Sequence, residues 1–422
     1  MPYARRIVVT GMGVVSPLGS TRAEFGDSLR QMRSGVKRIR MFDPSTLPVQ
    51  IAAELPDFDP RLYLDKKDRK SLKMMARTVQ FAVAASRLAI DYSGLTSAQY
   101  DPSRFGVVFG SSTVPGDTTE LAPVAFASYD FSKNEIDMRR WGSEGMDRMQ
   151  PMFMLNYVPN MATCHVSILH DARGPNNTIT QSDVAGLLAI GEAMRVIQRG
   201  AADLILTGGA DTRTPLVAMI RYPLFAQLSH RNESPESACR PFDRTRDGMV
   251  MGEGAGVFLL EDLEHATNRN ARIMAEVVGF AAGFDPGRSG KGLARAIRRA
   301  MGEAGIAPAD LDHVNAHAPG TTEDDAWEAR ALAETVGEVP VAALKSQMGN
   351  LGAAGAAVEL AGSLLGLERG WRPFTMNHRE PDSCCPIRVA REPGALLKRY
   401  VLKVSGTEMG QCAALVVRRW WD

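Results

Sequence analysis

Polar side chains stand at the ends of several apolar segments, where a fold could gather them at one site. Asp183 and Ser182 directly precede an apolar-periodic helix, His317 follows a short predicted strand at residues 314–316, and Asn350 lies in a glycine-rich segment. An imidazole and a carboxylate can together orient water as a general base, and an amide can donate a hydrogen bond to an oxyanion. These residue types therefore allow general-base chemistry at one site.

Asp183 also has a structural interpretation. A carboxylate at the start of a helix accepts hydrogen bonds from free backbone N–H groups and contributes about 1 kcal/mol. We favour this N-cap role over direct catalysis by Asp183. In the same way, we expect Asp325 and Glu328 to form a buried polar network at the start of a helix.

The elements that must position these residues follow an α/β pattern. Short β-branched runs that end in glycine alternate with alanine-rich helical stretches, which indicates buried parallel strands with crossover helices. The predicted strands are residues 6–10, 105–109, 204–207, 256–260, 314–316 and 415–418. The predicted helices are residues 70–90, 184–199, 292–304, 324–336 and 353–368.

Two of these units look alike, which predicts an internally duplicated architecture. The two units are AADLILTGGA at residues 201–210 and LDHVNAHA at residues 311–318. In each of them, a helix is followed by an aspartate, a strand and then a polar turn. We expect one half over residues 1–260 and the other over residues 261–422. The irregular segment 114–159 is predicted to be an insertion that forms a cap or a subunit contact.

Composition narrows the class of protein. The 422 residues are 45% hydrophobic and carry a net charge of +1, so we expect a globular protein with no nucleic-acid partner. No apolar stretch approaches the roughly 18 residues of a membrane span, and the N-terminal run is better explained as a strand than as a signal peptide. The five cysteines have no metal-site spacing, and we expect neither a metal nor a cofactor. Adjacent Cys384 and Cys385 make a poor disulfide framework, so we expect a cytoplasmic protein.

Five motifs together resemble a known family. They are RIVVTGMGVVSPLG at residues 6–19, TGGAD at 207–211, RPFDRTRDGMVMGEGAG at 240–256, VNAH at 314–317 and KSQMGNLGAAG at 345–355. In this order they resemble the elongating β-ketoacyl-acyl-carrier-protein synthases of the thiolase-like superfamily. The resemblance implies an α/β, five-layer αβαβα fold of two duplicated halves, a dimer, and acyl carrier protein as a partner.

The resemblance also implies a cysteine nucleophile at a strand-to-helix elbow, where the helix N-terminus lowers the pKa of the thiol. Here the elbow is GPNNTITQSDVAG at residues 174–186, and the alignment places Asp183 at the nucleophile position. His317 matches the first family histidine, and Asn350 replaces the second. Ala326 stands where many members carry a lysine.

The C-terminal loop also differs from the pattern of this family. VSGTEMGQ at residues 404–411 puts Ser405 where the family has a gating phenylalanine. We expect Ser405, Gly406 and Thr407 to contact the substrate. Four changes, at the nucleophile, the second histidine, the lysine and the gate, indicate that condensation is lost.

Two functions then compete. The first is a non-condensing protein that resembles the chain-length factors and pairs with a cysteine-bearing ketosynthase. The dimer can be this heterodimer or a homodimer. The second is a divergent decarboxylase, hydrolase or acyltransferase acting on acyl-carrier-protein thioesters, in which Asp183 and His317 orient water and Asn350 stabilises the oxyanion.

Overall fold

A computed structural model describes residues 5–421. Its main feature is a ten-stranded mixed sheet. The strands are β1 Ile7–Val15, β2 Phe105–Gly110, β3 Asn176–Ile179, β4 Leu204–Thr212, β5 Glu253–Asp262, β6 Ala275–Phe284, β7 Leu311–Asn315, β8 Val341–Ala342, β9 Tyr400–Gly406 and β10 Gln411–Arg419. Three two-stranded ribbons pair Lys37–Arg38 with Ile51–Ala52, Tyr129–Asp130 with Glu135–Ile136, and Trp371–Arg372 with Gly394–Ala395.

The helices connect these strands. The longer ones are α1 Arg22–Arg30, α2 Arg77–Ser93, α3 Thr118–Ser128, α4 Met161–Leu169, α5 Ala185–Gln198, α6 Lys291–Ala304, α7 Thr322–Thr335 and α8 Gly355–Arg369. Shorter helices cover Met138–Arg140, Phe153–Tyr157, Leu216–Arg221, Leu263–Asn268 and Lys345–Met348. Two helices begin at side-chain caps. The Thr21 side chain and Glu24 form a capping box at the start of α1, and the Thr321 side chain caps α7.

Strand order reveals the duplication. The sheet runs β8-β7-β9-β10-β6-β1-β5-β4-β2-β3, so each half places its own first to fifth strands in the order 1-5-4-2-3. The pairing directions also repeat: in each half the first, fifth and fourth strands pair antiparallel, and the fourth, second and third pair parallel. The expected fold class, an αβαβα arrangement of duplicated halves, is confirmed.

The helices form layers around the two halves. α5 contacts strands of both halves, and α8 contacts β5 in one half and β9 in the other, so this pair is the middle layer. α2 packs on β1 and β5 outside the first half, and α6 packs on β6 and β10 outside the second. Because it is covered on both sides, α8 is buried along almost its whole length.

Two predictions were wrong in detail. The sheet is mixed rather than parallel, since the fourth and fifth strands of each half form antiparallel pairs that the apolar runs could not distinguish from parallel ones. The helix predicted at residues 70–90 is interrupted: a 3₁₀ segment, Arg69–Met74, ends where Met75 turns extended, and α2 begins only at Arg77. Arg77 forms an ion pair with the buried Glu253, which fixes the start of the helix.

The two halves differ in length where the sequence predicts an insertion at residues 114–159, and its role as a cap or a subunit contact stays a prediction. Residues 111–160 separate β2 from α4, whereas only residues 316–321 separate β7 from α7 at the equivalent place.

Within the described residues, no helix has both the length and the apolar character to cross a membrane. The same part of the chain contains no cluster of three potential metal ligands.

Candidate functional site

Asp183 lies at a sharp entrance to α5. Ser182 has a left-handed φ of 48°, and a 3₁₀ turn over Ser182–Val184 leads into the helix at Ala185. The N-cap of α5 is Val184, and no side chain caps it. The predicted N-cap role of Asp183 was therefore wrong, because its carboxylate is engaged elsewhere.

Arg213, which follows β4, binds that carboxylate. Its Nη2 lies 2.5 Å from Asp183 Oδ1, and its Nε lies 3.3 Å from Asp211 Oδ2. Only 3% of Arg213 is exposed. Burial opposes the charge, but the nearby Asp183 and Asp211 carboxylates outweigh it, and the pKa of Arg213 is raised. Asp183 is thus one half of a buried ion pair.

Asn350 holds the second carboxylate oxygen. Its Oδ1 accepts a hydrogen bond from the Gly352 backbone N–H at 3.2 Å, which orients the amide. Its Nδ2 then donates to Asp183 Oδ2 at 3.1 Å. The amide predicted to stabilise an oxyanion is thereby directed at a resident carboxylate.

His317 approaches Asp183 without a hydrogen bond. The distance from His317 Nε2 to Asp183 Oδ2 is 4.0 Å, while Nδ1 lies 3.3 Å from Lys345 Nζ. An ammonium group can only donate, so Nδ1 accepts and a neutral ring carries its proton on Nε2. Burial, followed by Lys345, Lys403 and Arg213, keeps the pKa of His317 well below its ordinary value. The imidazole is neutral near pH 7, and its lone pair faces Lys345.

Behind His317 lies a buried cluster of charges that the sequence analysis did not predict. Lys345 Nζ lies 2.5 Å from Glu359 Oε1, and Lys403 Nζ binds Glu359 Oε2. Lys403 also donates to Asn315 Oδ1 at 3.0 Å. All three charged side chains are at most 1% exposed, so two cations share one anion in the core.

This cluster makes the stability depend on pH. Burial lowers the pKa of Lys403 to about 8, whereas an unfolded lysine titrates near 10.4. Between these values the unfolded chain binds more protons, so the free energy of unfolding rises with pH, by about 3 kcal/mol from this group. Chemical denaturation at pH 7.5–10 should show this rise relative to Lys403→Met. A constant difference between the two proteins across this range would contradict it, and the exposed Lys70→Met serves as the control.

Asp325 and Glu328 form the buried network that the sequence predicts. Asp325 accepts from the Phe242 N–H at 2.7 Å and the Gly320 N–H at 3.0 Å. Glu328 accepts from the N–H groups of His317 and Ala318, at 2.7 Å each. Burial raises the pKa of Asp325 to about 7 and also raises that of Glu328. Both carboxyls therefore fix the turn that carries His317.

Ala326 stands where many family members carry a lysine, but two other lysines lie at the site. Ala326 is half-buried and packs against the core of the second half. Lys345 and Lys403 bring positive charge to the site from other elements. Positive charge is therefore present at the site, although Ala326 contributes none.

Ser405, Gly406 and Thr407 lie behind Asp183. Ser405 Oγ donates to the Asp183 backbone carbonyl at 3.1 Å, and a Cβ on Gly406 would come within 2.5 Å of the Trp327 ring. Thr407 is also buried. Their contact with substrate stays a prediction, since the two contacts named here serve packing and the Asp183 backbone.

A cleft of about 530 Å³ opens in front of Asp183 and Arg213. Tyr222, Arg288 and Glu408 also line the cleft, whereas His317 and Asn350 are buried and do not line it. Arg213 lies over the Tyr222 ring, 5.4 Å from its centroid. Both members of the ion pair therefore form part of the cleft wall.

None of the five cysteines forms a hydrogen bond or ion pair with Asp183, His317 or Asn350 in the described part of the chain. All five are free thiols. Burial raises the pKa of Cys239, Cys385 and Cys412 to about 12 each, so these groups are protonated near pH 7. Cys164 lies on α4, and its sulfur accepts from the side-chain amide of Asn160, which directly precedes that helix.

The layered fold and the polar site at the α5 entrance define an α/β protein of the thiolase-like type. Residues 4–266 match the β-ketoacyl synthase N-terminal domain and residues 274–379 match the C-terminal domain. The chain belongs to the β-ketoacyl synthase family.

Similar proteins cover nearly the whole chain. A 3-oxoacyl-[acyl-carrier-protein] synthase 2 of Coxiella burnetii is 37% identical over 91% of each chain. The structure of the ishigamide ketosynthase/chain length factor is 30% identical, with a TM-score of 0.86 over 99% of this chain and 100% of the other. A type II PKS ketosynthase, solved with its acyl-carrier protein and a hexaketide, is 27% identical, with a TM-score of 0.83 over the same shares.

Proposed function

We propose that this chain is a non-condensing, chain-length-factor-type partner that pairs with a cysteine-bearing ketosynthase in fatty-acid or polyketide assembly. The observation that carries the proposal is the buried ion pair between Asp183 and Arg213 at the α5 entrance. Condensation needs a thiolate that accepts an acyl group. A carboxylate neutralised by a guanidinium is a weak nucleophile, and its acyl derivative would be a labile mixed anhydride.

The alternative enzyme, acting through Asp183 and His317, has less support. A general base needs a nitrogen lone pair directed at water. The His317 lone pair is directed at Lys345 Nζ, 3.3 Å away, and the Asn350 amide is occupied by Asp183. Both groups would have to rearrange before they could act on a thioester.

The inserted segment and its surroundings offer a contact surface for the partner. We call the following exposed side chains the apolar patch: Phe126, Phe131, Ile136, Met138, Met146, Met152, Met154 and Leu155. So many exposed apolar side chains in one segment are typical of an interaction site, and methionines adapt to varied partners. Strand β3 adds an exposed sheet edge at Asn176 and Asn177 that a second chain could extend.

The other assignments rest on this family relation. Acyl carrier protein is the proposed carrier of the chain that the pair handles, as it is for the type II PKS ketosynthase. We propose halves of residues 1–260 and 261–422, and a cytoplasmic location in keeping with the free cysteines.

Association is tested by mixing the purified protein with a cysteine-bearing ketosynthase and measuring the mass of the complex by light scattering. We expect a one-to-one complex. Phe131→Asp with Met138→Asp should weaken it at least about tenfold, because buried apolar anchors dominate such interfaces. Leu62→Asp is the control, since Leu62 is as exposed as Phe131, at 76%, but lies outside the apolar patch. The partner role would be contradicted if the protein formed only homodimers. It would also be contradicted if the control variant weakened the complex as much as the double variant does.

A further inference from the structure

Two adjoining clefts lie at the end of β7 opposite to His317. Each measures about 420 Å³, and Arg372, Arg388 and Pro340 line both. We call the combined cavity the arginine groove. The first cleft has an apolar wall that includes Leu311, Val336 and Val339. Lys398 lines the first cleft and Arg391 lines the second.

Arg372 is held in the arginine groove by the backbone opposite. It pairs with Gly394 in the two-stranded ribbon. A Cβ on Gly394 would lie 2.4 Å from Arg372 Nη2 and 2.9 Å from its Cζ, so the guanidinium rests where only glycine leaves room. Its Nε is buried and has no hydrogen-bond partner within the described residues. A buried donor of this kind is unfavourable unless a ligand or a water molecule engages it.

Arg388 is fixed at the edge of the main sheet. The Val341 N–H donates to the Arg388 carbonyl at 2.8 Å, and the Ala390 N–H donates to the Val341 carbonyl at 2.8 Å. Among the residues that the structure describes, the guanidinium donates only to the Glu338 carbonyl, at 3.5 Å. Over residues 5–421, neither Arg388 nor Arg372 forms an ion pair.

Three acidic residues, Asp312, Glu338 and Glu392, line the arginine groove together with the four cations Arg372, Arg388, Arg391 and Lys398. Asp312 is buried, and its carboxylate accepts from His313 and from the N–H groups of Leu397 and Lys398. Glu338 and Glu392 are exposed to solvent, where ion pairing is weak. The four cations exceed the three acidic residues by one, so the arginine groove has a small excess of positive charge beside its apolar wall.

We propose that the arginine groove binds a small phosphorylated organic molecule. Planar guanidinium groups match phosphate oxygens in a two-pronged geometry, and two arginines together favour a dianion over a single carboxylate. The apolar wall would contact the organic part of the ligand. This site lies at the other end of β7 from the Asp183 cleft, and it does not depend on the partner role proposed above.

Calorimetric titration of the full-length protein with pyrophosphate, at constant ionic strength, tests this site. We expect saturable one-to-one binding that Arg388→Gln weakens at least about tenfold, because charge-assisted hydrogen bonds are lost. Gly394→Ala should weaken it as well by displacing Arg372. Arg299→Gln, an exposed arginine on α6, should leave it unchanged.

Three results would overturn the proposal. They are the absence of saturable binding, undiminished binding by Arg388→Gln, and an equal loss in Arg299→Gln, which would indicate general charge attraction. Arg388 and Arg299 are both exposed, so these variants are expected to fold.

Discussion

Arg213→Met is expected to lower the free energy of unfolding by about 3–5 kcal/mol. The substitution keeps an unbranched, although shorter, side chain and leaves the Asp183 carboxylate buried without its cation. Asp211 is less affected, because Ser112 Oγ at 2.7 Å and the Ala353 N–H at 2.9 Å also bind it. Denaturant unfolding followed by circular dichroism measures the change.

Two variants separate the ion pair from simple loss of packing. Asp183→Asn in the Arg213→Met background removes the unpaired charge, so it should recover part of the lost stability. Arg221→Met removes an exposed arginine from the same region and should cost less than about 0.5 kcal/mol. If the double variant were as unstable as the sum of both single variants, the two residues would not be coupled.

Glu359→Gln is expected to have the largest effect on folding. It removes the one anion that Lys345 and Lys403 share, and both ammonium groups are almost fully buried. Breaking one buried pair costs about 3–5 kcal/mol, and here two pairs break together. We therefore expect a loss of more than about 5 kcal/mol, measured by denaturant unfolding, or failure to accumulate as folded protein.

A second substitution keeps this prediction testable. Lys403→Met in the Glu359→Gln background leaves one cation instead of two and should restore soluble protein. Glu334→Gln, which breaks only the half-exposed pair with Arg298, should change stability by at most about 1 kcal/mol. Normal stability of Glu359→Gln would show that the cluster is not charged as described.

Much of the fold was predictable because its signals are local. Apolar runs that end in glycine predicted the main strands, and the two similar units predicted the duplication that the strand order 1-5-4-2-3 displays. The gathering of Asp183, His317 and Asn350 was also anticipated. Strand direction was not, because a run buried on both faces has the same pattern whether it pairs parallel or antiparallel.

The charged partners at the site could not be predicted from spacing. Arg213, Glu359 and Lys403 meet Asp183 and Lys345 only after distant elements pack together. A weak signal did exist, since Lys403 interrupts an apolar strand and Glu359 an alanine-rich helix. Lone charges in buried segments are rarely tolerated without a partner, although the sequence does not say which partner.

The most direct test of the account is the intact mass of this chain after incubation with an acyl-carrier-protein thioester, alone and with a cysteine-bearing ketosynthase. Because Arg213 and Asn350 hold the Asp183 carboxylate, we predict an unchanged mass for this chain in both reactions and an acyl adduct only on the ketosynthase. An acyl-sized increase in the mass of this chain would contradict the account.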